Sequence, residues 1–166
     1  YYVAASMLAR VIFFGTRPIV DAMFPKVSAR IEAENEMATS RLLRDSLLYT
    51  GLLAGLGVLV LNLFPSFVVP FLYGTAYAKS VELVSLFSIG MFLLSLCYVL
   101  CLYQLALGKK KFVLLLLFGE IIKCTGIILF HRTLSEIVIV FTATIALILL
   151  SMVGLVGRET LIDAGD

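Results

Sequence analysis

Five long runs of apolar residues follow one another along the chain, separated by short segments where charge, proline or glycine collects. The first run extends from about Tyr1 to Phe24 and stops at Pro25; the second covers about Leu47 to Val69. The third covers about Val81 to Leu107, the fourth Phe112 to Phe130, and the fifth Ile137 to Gly157, which holds no charge at all. Each is about 19 to 27 residues long. A helix of that length rises about 1.5 Å per residue and so crosses a hydrocarbon core of about 30 Å. Barrel strands alternate apolar and polar positions over about ten residues, and these runs do not. Backbone polar groups in lipid must satisfy one another, which leaves the helix as the spanning element. The pattern predicts an all-α integral membrane protein with five transmembrane helices.

The connections differ in character. Lys26 to Asp45 is rich in helix formers and offers pairs four residues apart, Arg30 with Glu34 and Arg41 with Asp45, so it predicts an amphipathic helix over 26–45. That helix either lies on the membrane surface or acts as a solvated linker. Pro70 to Ser80 mixes Pro, Gly and Tyr and predicts a turn at the interface. Gly108-Lys109-Lys110-Lys111 separates runs three and four, His131 to Glu136 separates runs four and five, and a polar tail begins at Arg158.

Lys and Arg alternate through these connections. The first holds Lys26, Arg30, Arg41 and Arg44, the second Lys79, the third Lys109 to Lys111, and the fourth Arg132. Positively charged loops stay in the cytoplasm. The alternation therefore places the first and third connections and the C-terminal tail inside a cell membrane crossed several times. Composition supports the membrane reading: 61% of residues are hydrophobic and 14% charged, with a mean hydropathy of +1.09, where a soluble domain is about a quarter charged. A net charge of +2 gives no reason to expect nucleic acid. The chain opens on Tyr1-Tyr2-Val3-Ala4-Ala5, with neither a Met nor a basic segment before its first apolar run. It has no recognisable signal peptide, and we expect further residues upstream.

The informative residues are ionisable groups within the spans, since each is costly in lipid unless it meets protein or water. Arg10 and Arg17 are two turns apart on one face of the first span, and Asp21 follows Arg17 by four residues. Pro18 lies between them and frees a backbone carbonyl. Two readings fit: the face lines a hydrated cavity where Arg10 and Arg17 hold an anionic group, or Arg17 and Asp21 form a structural pair that snorkels to the interface. Glu120 and Lys123, three apart in the fourth span, form either a neutral structural pair or an ion-coupling pair. Glu82 sits near the surface of the third span as an interfacial charge.

Gly51, Gly55 and Gly57 let the second span approach another helix closely. Cys97, Cys101 and Cys124 all fall in apolar runs; Cys97 and Cys101 share a helix face but lack the flanking ligands of a zinc site, and they read as packing residues. His131 has no partner in sequence. No nucleophile–base arrangement, phosphate loop or metal constellation appears, so the sequence points to no enzyme and no cofactor.

Tyr1-Tyr2-x-Ala4-Ala5, Phe24-Pro25-x-x-Ser28, and Leu72-Tyr73-Gly74-x-x-Tyr77 followed by Ala78 resemble motifs of the polysaccharide transporters of the oligosaccharide flippase type. These belong to the superfamily that includes multidrug and toxin extrusion transporters and lipid II flippases. Gly108 to Lys111 is similar to the basic turn after an equivalent helix. The resemblance covers about Tyr1 to Lys123; beyond it the asparagine-rich helix and the Gly/Ala-rich opening of the next helix are missing. It implies that the five spans are the C-terminal part of a two-lobed transporter of about twelve helices, whose partner would be the N-terminal helices. The implied activity is export of polysaccharide precursors, flipping a lipid-linked oligosaccharide by alternating access, with membrane lipid around it. Arg10 is then the candidate for the cargo's pyrophosphate. An ion-coupled drug or cation antiporter, with Glu120 or Asp21 carrying the proton, is the alternative; a non-transporting scaffold or remnant is the third.

Overall fold

The computed structural model describes residues 2–32, 36–73 and 81–163. They form six helices: α1 (Tyr2–Glu32), α2 (Glu36–Leu63), α3 (Pro65–Tyr73), α4 (Val81–Ala106), α5 (Lys111–Leu129) and α6 (Leu134–Asp163). No strand occurs among the described residues. Among the described residues, four stretches are long and apolar enough to cross a membrane: Ala38–Leu63, Leu83–Ala106, Lys111–Leu129 and Leu134–Gly157. The protein is thus all-helical with the character of a membrane protein. α1 has the length, at 31 residues, but Arg10, Arg17 and Asp21 interrupt its apolar run and it is not among those four.

Helix ends differ from the sequence expectation in three places. Residues 26–45 do not form a helix of their own: α1 continues through Pro18 and Pro25 to Glu32, and α2 begins at Glu36. Favourable helix formers on both sides of residues 33–35 let each span extend past the apolar run. Asp45 lies 4.0 Å from Arg44 Nε. The second run is divided, because Pro65 has no N–H to continue α2 and instead opens α3 at its first position. The Val68 amide donates to Phe64 (2.9 Å) across the bend. α6 starts at Leu134 rather than Ile137. There the Glu136 amide donates to Thr133 Oγ1 (3.2 Å), and the Glu136 carboxylate accepts from the Arg132 amide (3.1 Å), a close variant of the capping box. Tyr1, Glu34, and Gly74, Tyr77, Ala78 and Lys79 of the second connection lie outside the described residues. The side chains of Tyr2, Arg30, Leu72, Tyr73, Glu82 and Arg158 do as well.

α4 is the centre of the fold. It packs on α1, α2 and α6, and α5 lies outside, against α6. Over half of its spanning window is buried (56%), against 11% for α5. Its apolar surface divides into two clusters: Val84, Phe87 and Met91 with Leu8, Ile12 and Val138, and Val99, Leu100 and Tyr103 with Val20, Met23 and Met152. α4 ends in a Schellman motif, with Lys109 N bonded to Gln104 O (3.1 Å) and Gly108 N to Leu105 O (3.0 Å). Gly108 takes φ 68°, a conformation that a side chain disfavours. The predicted basic turn therefore has a structural reason for its glycine.

Small residues set the helix spacing. The glycine motif of α2 serves two neighbours: a Cβ at Gly51 or Gly55 would touch Leu96 or Phe92 of α4, while at Gly57 it would come within 3.1 Å of Ile12 in α1. Gly119 of α5 lies against Ile148 of α6 with no room for a side chain.

Candidate functional site

α1 has two unlike faces. Ala5, Leu8, Ile12, Val20 and Met23 are buried against the bundle, while Val3, Met7, Arg10, Phe14, Arg17 and Asp21 are exposed. The helical repeat aligns the exposed set, so the charges of α1 share one strip with large apolar side chains.

Within that strip Arg17 Nε lies 3.4 Å from Asp21 Oδ2, with both side chains half-exposed. The predicted pair is formed. A third member comes from α4: the Tyr98 hydroxyl donates to Asp21 Oδ1 at 3.0 Å. Its ring stands edge-on to Phe13, with centroids 5.6 Å apart. Sequence reasoning passed over Tyr98; the available signal was a tyrosine deep inside an apolar span rather than at its end, where aromatic belts lie. Pro18 and Pro25 are also exposed, and each removes the amide that Phe14 or Asp21 would otherwise bond. The strip thus presents two carbonyls free of helical partners beside its charges.

Arg10 is exposed two turns above Arg17, and no hydrogen bond or ion pair to it occurs among the described residues. It is the cation on this strip with nothing to neutralise it. Glu120 and Lys123 are elsewhere. They form an ion pair on α5 (2.5 Å), with Glu120 59% and Lys123 24% exposed, and α5 packs on α6 rather than on α1. The two candidate groups are not brought together.

Two polar seams hold the helices that carry the strip. Thr16 of α1 lies 3.2 Å from Ser95 Oγ, whose own proton goes to the Met91 carbonyl (2.9 Å). Asn62 of α2 donates to Ser88 Oγ (2.9 Å) and to the Val58 carbonyl (2.8 Å), and accepts from Ser85. Both seams end on α4, and each gives a polar side chain that also bonds its own helix a partner on a second one. A shallow apolar groove of about 580 Å³, lined by Ile19, Tyr49, Leu52, Leu53 and Leu56, runs between α1 and α2; no charged group lines it.

Chemically, the strip can hold an anion at Arg10, with Arg17 half-satisfied by Asp21 nearby. It offers no nucleophile–base pair, and no group of three His, Cys, Asp or Glu suited to a metal occurs among the described residues. His131 Nδ1 bonds the Ile128 carbonyl (2.7 Å) at the exposed end of α5. Comparison of the chain with protein-family models, with curated proteins and with solved structures finds no match.

Proposed function

We propose that this chain is the five-span C-terminal part of a transporter that flips a lipid-linked oligosaccharide across the cell membrane for polysaccharide export. α1 is the first of these five spans, and the first and third connections and the C-terminus face the cytoplasm. One observation carries the reading: the exposed strip of α1, where the unpaired Arg10 lies above the Arg17–Asp21–Tyr98 cluster. A lone guanidinium and two freed carbonyls are costly against lipid. The strip therefore faces water or further helices, and in a two-lobed transporter it faces the central cavity. A guanidinium there binds a pyrophosphate by paired, charge-assisted bonds.

The antiporter reading needs a carboxylate free to take up the coupling proton. Asp21 is held by Arg17 and Tyr98, and Glu120 by Lys123, which favours the flippase.

The test is Arg10→Ala, assayed by glycan reaching the cell surface, with membrane abundance measured in parallel. Loss of export at normal abundance is expected, with partial recovery in Arg10→Lys. Unchanged export in Arg10→Ala would sink the reading. Reporters fused within residues 26–45 and after Asp166 must both read as cytoplasmic.

A further inference from the structure

Three sulfurs meet where α4 packs on α6. Cys97 Sγ lies 3.9 Å, and Cys101 Sγ 3.8 Å, from the same atom, Met152 Sδ. The two cysteines are one turn apart on α4, so both project toward α6, and Met152 comes from the facing helix. Cys97 and Met152 are buried at 4% and 1% exposure, whereas Cys101 is only partly buried and leaves the trio reachable from the surface. The cysteines carry no disulfide.

We propose that Cys97, Cys101 and Met152 form a binding site for a soft monovalent cation, Cu(I) or its analogue Ag(I). The donor set selects the metal: thiolate and thioether sulfur favour Cu(I), while Mg²⁺ and Ca²⁺ require oxygen. Structural zinc sites take four ligands, and this site presents three. The spacing agrees. A metal with bonds of about 2.3 Å, the length of a zinc–thiolate bond, holds three coplanar sulfurs about 4.0 Å apart. The cation displaces at least one thiol proton, which leaves to solvent. With one thiolate, one thiol and the thioether as donors, the loaded site is neutral, as its apolar surroundings demand. Coordination would also clamp α4 to α6, the two helices that supply the ligands.

The inference is independent of the flippase reading, since none of these residues lies on the α1 strip. The test uses the whole protein in detergent, titrated anaerobically with Cu(I) against a competing chelator, with X-ray absorption to count sulfur neighbours. One Cu(I) per chain with sulfur-only coordination is expected, together with a rise in the thermal midpoint on loading. Met152→Leu keeps the packing volume and should weaken Cu(I) by more than the roughly 10- to 100-fold that loss of an outer-shell partner costs. The Cys97→Ser/Cys101→Ser pair should abolish binding, while Cys124→Ser should bind as the parent does. Cu(I) affinity unchanged in Met152→Leu, or failure of the folded parent to take up Cu(I), overturns the proposal. Loss of binding in Cys124→Ser alone overturns it as well, because it moves the site to α5.

Discussion

The Tyr98 hydroxyl donates to Asp21 Oδ1 at 3.0 Å, joining α4 to α1 on the side that the rest of the chain leaves uncovered. Asp21 thereby has two partners on two helices, Arg17 within its own turn and Tyr98 across the interface. Tyr98→Phe keeps the edge-on contact with Phe13 and removes only the donor. Polar contacts between membrane helices average about 0.6 kcal/mol, so a loss of that order is expected in detergent unfolding. Combined with Asp21→Asn, it should give a non-additive double-mutant cycle; strict additivity would mean that the two residues do not meet.

Asn62 links α2 to α4 through Ser85 and Ser88. Asn62→Leu takes the acceptor from the Ser85 hydroxyl and a donor from Ser88, whose own proton still goes to the Ser85 carbonyl. It should destabilise by about 1–2 kcal/mol, near the upper end for such contacts in membranes. Adding Ser85→Ala to Asn62→Leu should then cost little more, because its partner is already gone. The comparison of unfolding midpoints checks this.

Gly119 has no room for a side chain against Ile148. Gly119→Val should force α5 from α6 at a cost of about 1–3 kcal/mol, and Ile148→Ala should recover part of the loss. Gly15, with open space around it, is the control: Gly15→Ala should leave the thermal midpoint unchanged or raise it slightly. Equal losses at the two glycines would contradict the α5–α6 packing.

Glu120→Gln leaves Lys123, only 24% exposed, with its charge uncompensated. The loss should fall well below the roughly 3–5 kcal/mol of a fully buried pair, since Glu120 is 59% exposed. Glu120→Gln with Lys123→Met removes both charges and should restore stability. Under the transporter proposal, a purely structural pair means that the double variant also keeps export; loss of export at normal abundance would make Glu120 a coupling group instead.

The residues differ in how much of this could be read in advance. Arg17 and Asp21 are four apart, so a helix alone brings them together, and the pair was legible. Tyr98 is 77 residues from Asp21, and Ser95 is 79 from Thr16; only the packing of α4 on α1 makes them neighbours. The end of α4 was legible because Gly108 has one local role. The break at Phe64–Pro65 was not, since proline at the first position of a new helix leaves the apolar pattern uninterrupted. Residues 26–45 were expected to form one helix, because their helix formers do not reveal which flanking span each half extends. Cys97 and Cys101 read as packing residues for a similar reason: the third sulfur lies on α6, more than fifty residues on.

The central place of α4 bears on how the protein is made. A ribosome delivers α1 and α2 before α4, so Thr16 and Asn62 are synthesised before the serines that they meet across the interface. Until residues 85–95 emerge, the contact between those two helices lacks the serines and rests on packing such as Ile12 seated on Gly57. Their early partnership is provisional, and the bundle becomes committed only when its third long helix arrives to be enclosed.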